Sequence, residues 1–212
     1  MEGLTVAIPK GRLLAPTLDL FARIGVTVSE YTENSRSLVV GADNGRYRFL
    51  IAKPLDVPTF VEYGTADLGI VGSDVLMEEE HDIHEPLDLG YGACRLVLAA
   101  PWEKADEELA LHTVHRVATQ YPNTTQRYFA RRGLQVETIK LYGSVELAPV
   151  MGLAPLIVDL VQTGKTLQEN GLAEIAEIAS ASARLIVNRA SHKLRFGEIG
   201  AVIRELSEVV AC

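Results

Sequence analysis

Apolar runs of strand length alternate along this chain with segments of helical period, and that alternation confines it to an α/β architecture. Leu4 to Ile8 is the first such run. Gly11-Arg12 then opens an amphipathic segment that puts Leu14, Leu18 and Phe21 on one face, with Ile24 at its end. Ser37 to Val40 and Tyr47 to Ala52 are expected strands, joined by the turn-forming Asp43-Asn44-Gly45. Pro54 to Tyr63 is an expected helix with proline near its start, Leu68 to Val71 a strand, and Ser73-Asp74 the cap of a further helix. A second strand group begins at Arg95 to Ala100 and continues with Val114 to Thr119, a helix from Thr124 to Arg132, and a strand from Val136 to Leu141. Ala154 to Val158 reads as a buried strand and Ala173 to Ser182 as a helix. Arg184 to Val187 and a helix near Glu198 to Val210 complete the pattern. This order predicts mainly parallel sheets.

The 212 residues suffice for one domain with a substantial core or for two small ones. A net charge of -8 argues against a general binder of nucleic acid or anionic membrane, so an anionic substrate must be held by a local basic site. Met1-Glu2-Gly3-Leu4 does not open a secretory signal, and no run is long and apolar enough to span a membrane. Cys94 and Cys212 are too few for a disulfide framework and lack zinc-finger spacing, so a cytoplasmic location is expected. Cys94 reads as a small buried hydrophobe, since no nearby histidine or helix terminus would activate its thiol. Glu78-Glu79-Glu80 reads as a solvated helix end. His81/His84 and His112/His115 share a helical spacing, yet they lie in polar segments with no further ligands to complete a zinc set, so no structural metal is expected.

The stretch Asp159-Leu160-Val161-Gln162-Thr163-Gly164-Lys165-Thr166-Leu167 carries the most chemistry. It follows the Ala154 to Val158 run, which places Thr163 to Thr166 in a strand-to-helix turn and Asp159 at the strand end. Glycine lets the backbone approach a ligand, successive N–H groups can converge on one anion, and the two threonines add hydroxyl donors. Asp159 is placed to accept hydrogen bonds from sugar hydroxyls. The first glycine of the Gly-x-x-x-x-Gly-Lys-Ser/Thr loop is missing, so this is not an ATP-type P-loop. Local chemistry alone fits both a phosphate cradle and an ordinary glycine-containing turn.

The longer segment from Glu146 to Leu167 resembles the signature of the ATP phosphoribosyltransferase family. Glu146, Gly152, Ala154, Ile157, Asp159, Leu160, Thr163, Gly164, Thr166 and Leu167 meet its fixed positions. The resemblance runs along the whole chain, through Ile8-Pro9-Lys10-Gly11-Arg12-Leu13, Ala52 to Pro58 and Gly64 to Asp74. It implies a two-lobed fold of the periplasmic-binding-protein type II, with the active site in the inter-lobe cleft. Lobe I would comprise 1–91 plus 181–212, and lobe II, 92–180, would carry the PRPP-binding turn.

The resemblance also assigns roles. Asp159 to Leu167 would bind phosphoribosyl pyrophosphate (PRPP), the turn taking its 5-phosphate and Asp159 its ribose hydroxyls. Lys10, Gly11, Arg12, Arg36, Lys53, Asp74 and Arg95 would serve ATP and pyrophosphate. On residue chemistry alone, Lys10 and Arg12 fit solvated surface charges as well as an anion site. Asp74 fits a plain helix cap, Asp67 a strand-entry charge. Glu146 fits either a ligand to the ribose or the magnesium shell, or a supporting role behind the site.

The implied reaction passes phosphoribose from PRPP to N1 of ATP, with Mg2+ as cofactor, and needs no covalent nucleophile. The resemblance is to the short form of the family, since the chain ends at Cys212 with no room for a regulatory domain. That form implies a homodimeric core assembling with a regulatory subunit resembling histidyl-tRNA synthetase, and no nucleic-acid or membrane partner. A non-catalytic binder of a phosphorylated metabolite, and a phosphoribosyltransferase for another base, are the alternatives.

Overall fold

Leu4–Pro9 forms β1, and every one of its six residues is buried, the mark of a central strand covered on both faces. The computed structural model describes residues 3–28, 37–105, 109 and 113–211. Their order is β1, α1 (Leu14–Arg23), β2 (Val39–Gly41), β3 (Tyr47–Ala52), a 3-10 turn (Pro54–Asp56), α2 (Val57–Glu62), β4 (Leu68–Gly72), α3 (Ser73–Glu78) and β5 (Ile83–Asp88). Next come β6 (Cys94–Pro101), a second 3-10 turn (Trp102–Lys104), β7 (Val114–Thr119), α4 (Pro122–Ala130), β8 (Gln135–Lys140), α5 (Leu147–Val150), β9 (Leu156–Val161) and α6 (Lys165–Glu169). The chain then runs through β10 (Leu172–Ala181), β11 (Ala183–Asn188), α7 (Arg189–Leu194) and α8 (Phe196–Val210).

Two compact units result. The first takes in the described residues of Met1–Leu76, Glu80–Gly92 and Ser182–Cys212; the second those of Met77–Glu79 and Ala93–Ala181.

The first unit is built on a sheet of order β2-β3-β1-β4-β11-β5. Phe21 of α1 meets Tyr47 and Phe49 edge-on at 6.1 and 5.2 Å, a preferred geometry for aromatic rings. Ile199, Val202 and Leu206 of α8 are buried in the same cluster as Phe21. Val57 and Val61 of α2 belong to a separate cluster with Ala7, Val71 and Ile186. Gly69 of β4 is required by that packing: a Cβ there would lie 2.7 Å from Val61 Cγ2 and 3.1 Å from Ile186 Cγ1.

The second unit is built on a sheet of order β10-β6-β9-β7-β8. Tyr121, Tyr128 and Phe129 pack with Leu96, Leu98 and Val117, while Val145, Ala148 and Leu167 pack with Val97, Ala118 and Val161. Neighbours along β6 thus fall into different clusters, as pleating demands.

Both sheets are mixed rather than mainly parallel. β3, β1 and β4 run parallel, as do β9, β7 and β8. The pairs β2-β3, β4-β11, β5-β11, β6-β9 and β6-β10 are antiparallel.

The largest departure from expectation is Ala173 to Ser182, a strand (β10) instead of a helix. Its ladder with β6 slips between Glu174 and Ala176 and again between Glu177 and Ala179. Each bulge adds a residue, so Glu174, Glu177 and Ser180 recur on the exposed side every third position. That spacing imitates a helical period.

Two smaller corrections concern charges. Glu78 is buried at 3% exposure, not solvated. Its carboxylate accepts the Asn123 and Thr124 N–H groups at 2.8 and 2.9 Å, capping α4 from outside in place of a local cap residue. The His81 side chain is only 8% exposed: its Nδ1 lies 2.8 Å from Glu62 Oε2, and this bond is the main cause holding the Glu62 carboxyl below its ordinary value. His112 lies outside the described residues. Ser73 is the first residue of α3 rather than its cap, and its Oγ accepts the Ser182 N–H at 3.2 Å.

Candidate active site

In the second unit, register fixes where the site residues emerge. Thr119 stands opposite Lys140 on one side and Val158 on the other, so β7, β8 and β9 end at one carboxyl edge. Open parallel sheets gather ligands at such an edge. β9 runs on through Val161, so Asp159, Leu160 and Val161 lie inside the strand and not beyond its end. The turn Gln162-Thr163-Gly164 then leads into the short α6, which replaces the longer helix expected downstream.

Gly164 adopts φ 78°, ψ -2°, a left-handed conformation that glycine enters without a side-chain penalty. Its carbonyl accepts the Gln168 N–H at 3.1 Å, the first bond of α6. Leu167 and Val161 are buried together beneath the turn, which leaves Gln162, Thr163, Lys165 and Thr166 exposed. Lys165 Nζ reaches Glu169 at 3.6 Å across one helical turn.

Asp159 is half-buried, and burial is the main cause pushing its carboxyl up from 3.8 to about 6. The Leu160 N–H, donated to Oδ1 at 2.8 Å, works against that rise, and the charge of Glu146 adds to it. Glu146 is the residue before α5; its side chain makes no capping bond there, and its charge is felt at Asp159.

Arg95 of β6 stands opposite Val161, at the end of the sheet where β9 finishes. It donates to both oxygens of Glu174 at 2.8 and 3.0 Å and lies 3.5 Å from Glu177. Glu174 Oε1 in turn lies 3.2 Å from where a Cβ on Gly164 would stand. Arg95 and Glu174 therefore border the turn. Sequence reasoning missed Glu174, because a helical reading of β10 gave no reason to aim it at Gly164.

In the first unit, Pro9 pairs with Ala52 and Ala7 with Gly69 in parallel register. Lys10, Lys53 and Ser73 thus leave the sheet at one carboxyl edge. Lys10 and Lys53 are exposed, and Gly11 between Lys10 and Arg12 has φ 85°. Arg12 donates to the Gly92 carbonyl at 2.8 Å. Asp74 is buried at 5% exposure, and its carboxylate fills the space a Cβ on Gly72 would take. Arg36 lies outside the described residues. Asp67 serves the framework, accepting the Thr5 N–H at 2.9 Å, the Ser191 hydroxyl at 2.7 Å and Arg195 at 3.2 Å.

Comparison with known proteins bears on the family and the fold. The family described as ATP phosphoribosyltransferase matches residues 53–208. An ATP phosphoribosyltransferase of Syntrophotalea carbinolica is 53% identical over 209 residues, 98% of this chain and 95% of that protein. One from Geobacter sulfurreducens is 52% identical and covers 98% of each. Among solved structures, the ATP phosphoribosyl transferase (HisG:HisZ) complex of Thermotoga maritima superposes with a TM-score of 0.84 at 35% identity, covering 98% of both chains. The periplasmic aliphatic sulphonate binding protein of Escherichia coli matches with a TM-score of 0.61 at 14% identity, over 100% of this chain and 73% of that one, a likeness of fold alone.

Proposed function

The chain belongs to the ATP phosphoribosyltransferase family, and from that premise we infer how its residues carry out the first step of histidine biosynthesis. The reaction transfers phosphoribose from PRPP to N1 of ATP and releases pyrophosphate. The observation that carries the assignment of parts is the carboxyl edge of β9, where a half-buried carboxylate precedes an exposed turn of two threonines, a left-handed glycine and a lysine.

The bond from ribose C1 to the diphosphate oxygen breaks as the bond from adenine N1 to C1 forms. Negative charge grows on the departing diphosphate, and C1 gains oxocarbenium character. Adenine N1 carries no proton to lose, so alignment and charge stabilisation supply the rate. Thr163, Gly164, Lys165 and Thr166 hold the 5-phosphate through backbone N–H groups, hydroxyls and the lysine charge. Asp159 accepts the ribose hydroxyls, with Glu146 beside it. Lys10, Gly11, Arg12, Lys53 and Asp74 serve ATP and the pyrophosphate from the first unit, and Arg36 is assigned with them. Arg95 acts from the second unit, next to the turn.

Phosphoribosyltransferases generally use a divalent metal, and we assign Mg2+. Among the described residues no group of three or more His, Cys, Asp or Glu side chains gathers to hold a metal. Mg2+ binds through one or two carboxylates together with substrate phosphates, which the pair Glu146 and Asp159 fits. When bound, it neutralises charge on the diphosphate.

The Thermotoga maritima structure is a HisG:HisZ complex, and the match covers 98% of this chain and 98% of the chain it superposes on. On that basis we assign this chain as the catalytic subunit of the short form, a homodimeric core that assembles with a regulatory partner resembling histidyl-tRNA synthetase. No helix among the described residues is long and apolar enough to cross a membrane, and we place the enzyme in the cytoplasm.

The test is to incubate the purified chain, alone and with a HisZ-type partner, with ATP, PRPP and Mg2+ in the presence of pyrophosphatase. Mass spectrometry should detect phosphoribosyl-ATP, and Asp159→Ala or Thr163→Ala should abolish it. Product formed at an undiminished rate by both variants would overturn the assignment of the turn; transfer to another base and not to ATP would overturn the acceptor.

A further inference from the structure

Among the described residues, Ser144 is the single non-glycine residue with positive φ, at 47°. Serine carries a steric penalty there that glycine does not, and such outliers gather at functional sites. Its position ties it to the site. Val145, the next residue, is fully buried in the same cluster as Val161 and Leu167, the residues that anchor the PRPP turn from below. Glu146, one further on, acts electrostatically on Asp159. The Ser144 carbonyl accepts the Leu147 N–H at 3.1 Å, which fixes the loop at the start of α5. Ser144 itself is exposed. The loop follows β8, whose carboxyl end lies at the same edge as that of β9.

We propose that Ser144 is a PRPP-binding residue, held in its left-handed conformation so that its hydroxyl donates to an oxygen of the diphosphate. The inference rests on the reading of Asp159 to Leu167 as the PRPP site. Glu146 and Asp159 are acceptors suited to ribose hydroxyls, and the 5-phosphate has its own donors in the turn. A hydroxyl donor in the neighbouring loop, at the edge where β9 ends, adds a hydrogen bond to the diphosphate beside the cations assigned to it. Retaining serine where glycine would sit without strain is explained by what its side chain does.

Two variants separate the hydroxyl from the strain. Ser144→Ala removes the hydroxyl and keeps the side-chain penalty; Ser144→Gly removes both. Calorimetry would measure binding of PRPP and, separately, of ribose 5-phosphate, which lacks the diphosphate. Thermal unfolding would be followed without ligand. Both variants should bind PRPP about tenfold more weakly, the worth of one hydrogen bond to a charged acceptor. Both should bind ribose 5-phosphate as the wild type does. Ser144→Gly should also melt about 2 °C higher than wild type. Unchanged PRPP affinity in Ser144→Ala would overturn the proposal, and so would an equal loss toward ribose 5-phosphate. If wild-type protein binds PRPP but makes no phosphoribosyl-ATP, the acceptor assignment fails while the Ser144 comparison still decides.

Discussion

Arg95 grips Glu174 with both guanidinium arms, at 2.8 and 3.0 Å, across the strand pair that borders the phosphate turn. The two side chains are 38% and 33% exposed, so solvent screens the pair and its worth to stability is small. Its weight is positional. Arg95→Ala should change the denaturant midpoint little, yet raise the KM for PRPP several-fold by leaving Glu174 uncompensated beside the turn. Glu174→Gln introduced into Arg95→Ala should recover part of that loss, and steady-state kinetics on the two variants would show it.

Gly164→Ala should cost both stability and substrate. Its φ of 78° strains any L side chain, and the new methyl would stand 3.2 Å from Glu174 Oε1. A loss of about 1 kcal/mol is expected in urea unfolding, with PRPP binding weakened at least tenfold by calorimetry. Affinity equal to wild type would mean that the turn tolerates a different backbone path.

The Asp159 carboxyl sits at about 6 in the fold against an ordinary 3.8, so the folded protein binds this proton more tightly than the unfolded chain. Its contribution to stability is therefore full below 3.8 and is lost as pH rises through about 6. Asp159→Asn removes that dependence, so wild-type stability relative to the variant should decline between about pH 4 and pH 7. PRPP binding runs the other way, since only the carboxylate accepts a sugar hydroxyl without donating a proton. Wild-type affinity should fall as pH drops below about 6.

Glu78→Ala should destabilise the second unit by about 1 to 2 kcal/mol, the usual loss on removing a helix cap. Two N–H groups, of the exposed Asn123 and the buried Thr124, would lose their acceptor. Chemical denaturation would measure it, and Glu78→Gln should recover part of the loss by keeping an oxygen in place.

Lys53→Ala should raise the KM for both ATP and PRPP, with no loss of stability because the side chain is exposed. A shift in PRPP affinity without one in ATP would reassign this carboxyl edge.

The parts of the fold that read clearly from the chain are those governed by neighbours in sequence. β1, β4 and β9 announce themselves as mostly apolar runs, interrupted only by Thr5 in β1 and Asp159 in β9, and the turn after β9 follows from Thr-Gly-Lys-Thr placed behind the last of them. What failed depends on distant partners. β10 takes its three-residue spacing from two bulges against β6, which no local pattern reveals. Glu78 looks like one of three solvated acids until Asn123 and Thr124 are brought to it. β5, Ile-His-Glu-Pro-Leu-Asp, has too little apolar character to register as a strand, and it exists because β11 offers it a ladder. The role of Glu174 was hidden for the same reason as β10.

A strand of ten residues at the border of a sheet would ordinarily be an open invitation to a second copy of the chain, and a seed for aggregates. The two slips in β10 break the regular spacing of its outward hydrogen-bonding groups, and Glu174 and Glu177 bring negative charge to the same stretch. A straight, uncharged strand there would pair more readily with its own kind. The irregularity that disguises β10 in the sequence thus also protects the protein in concentrated solution.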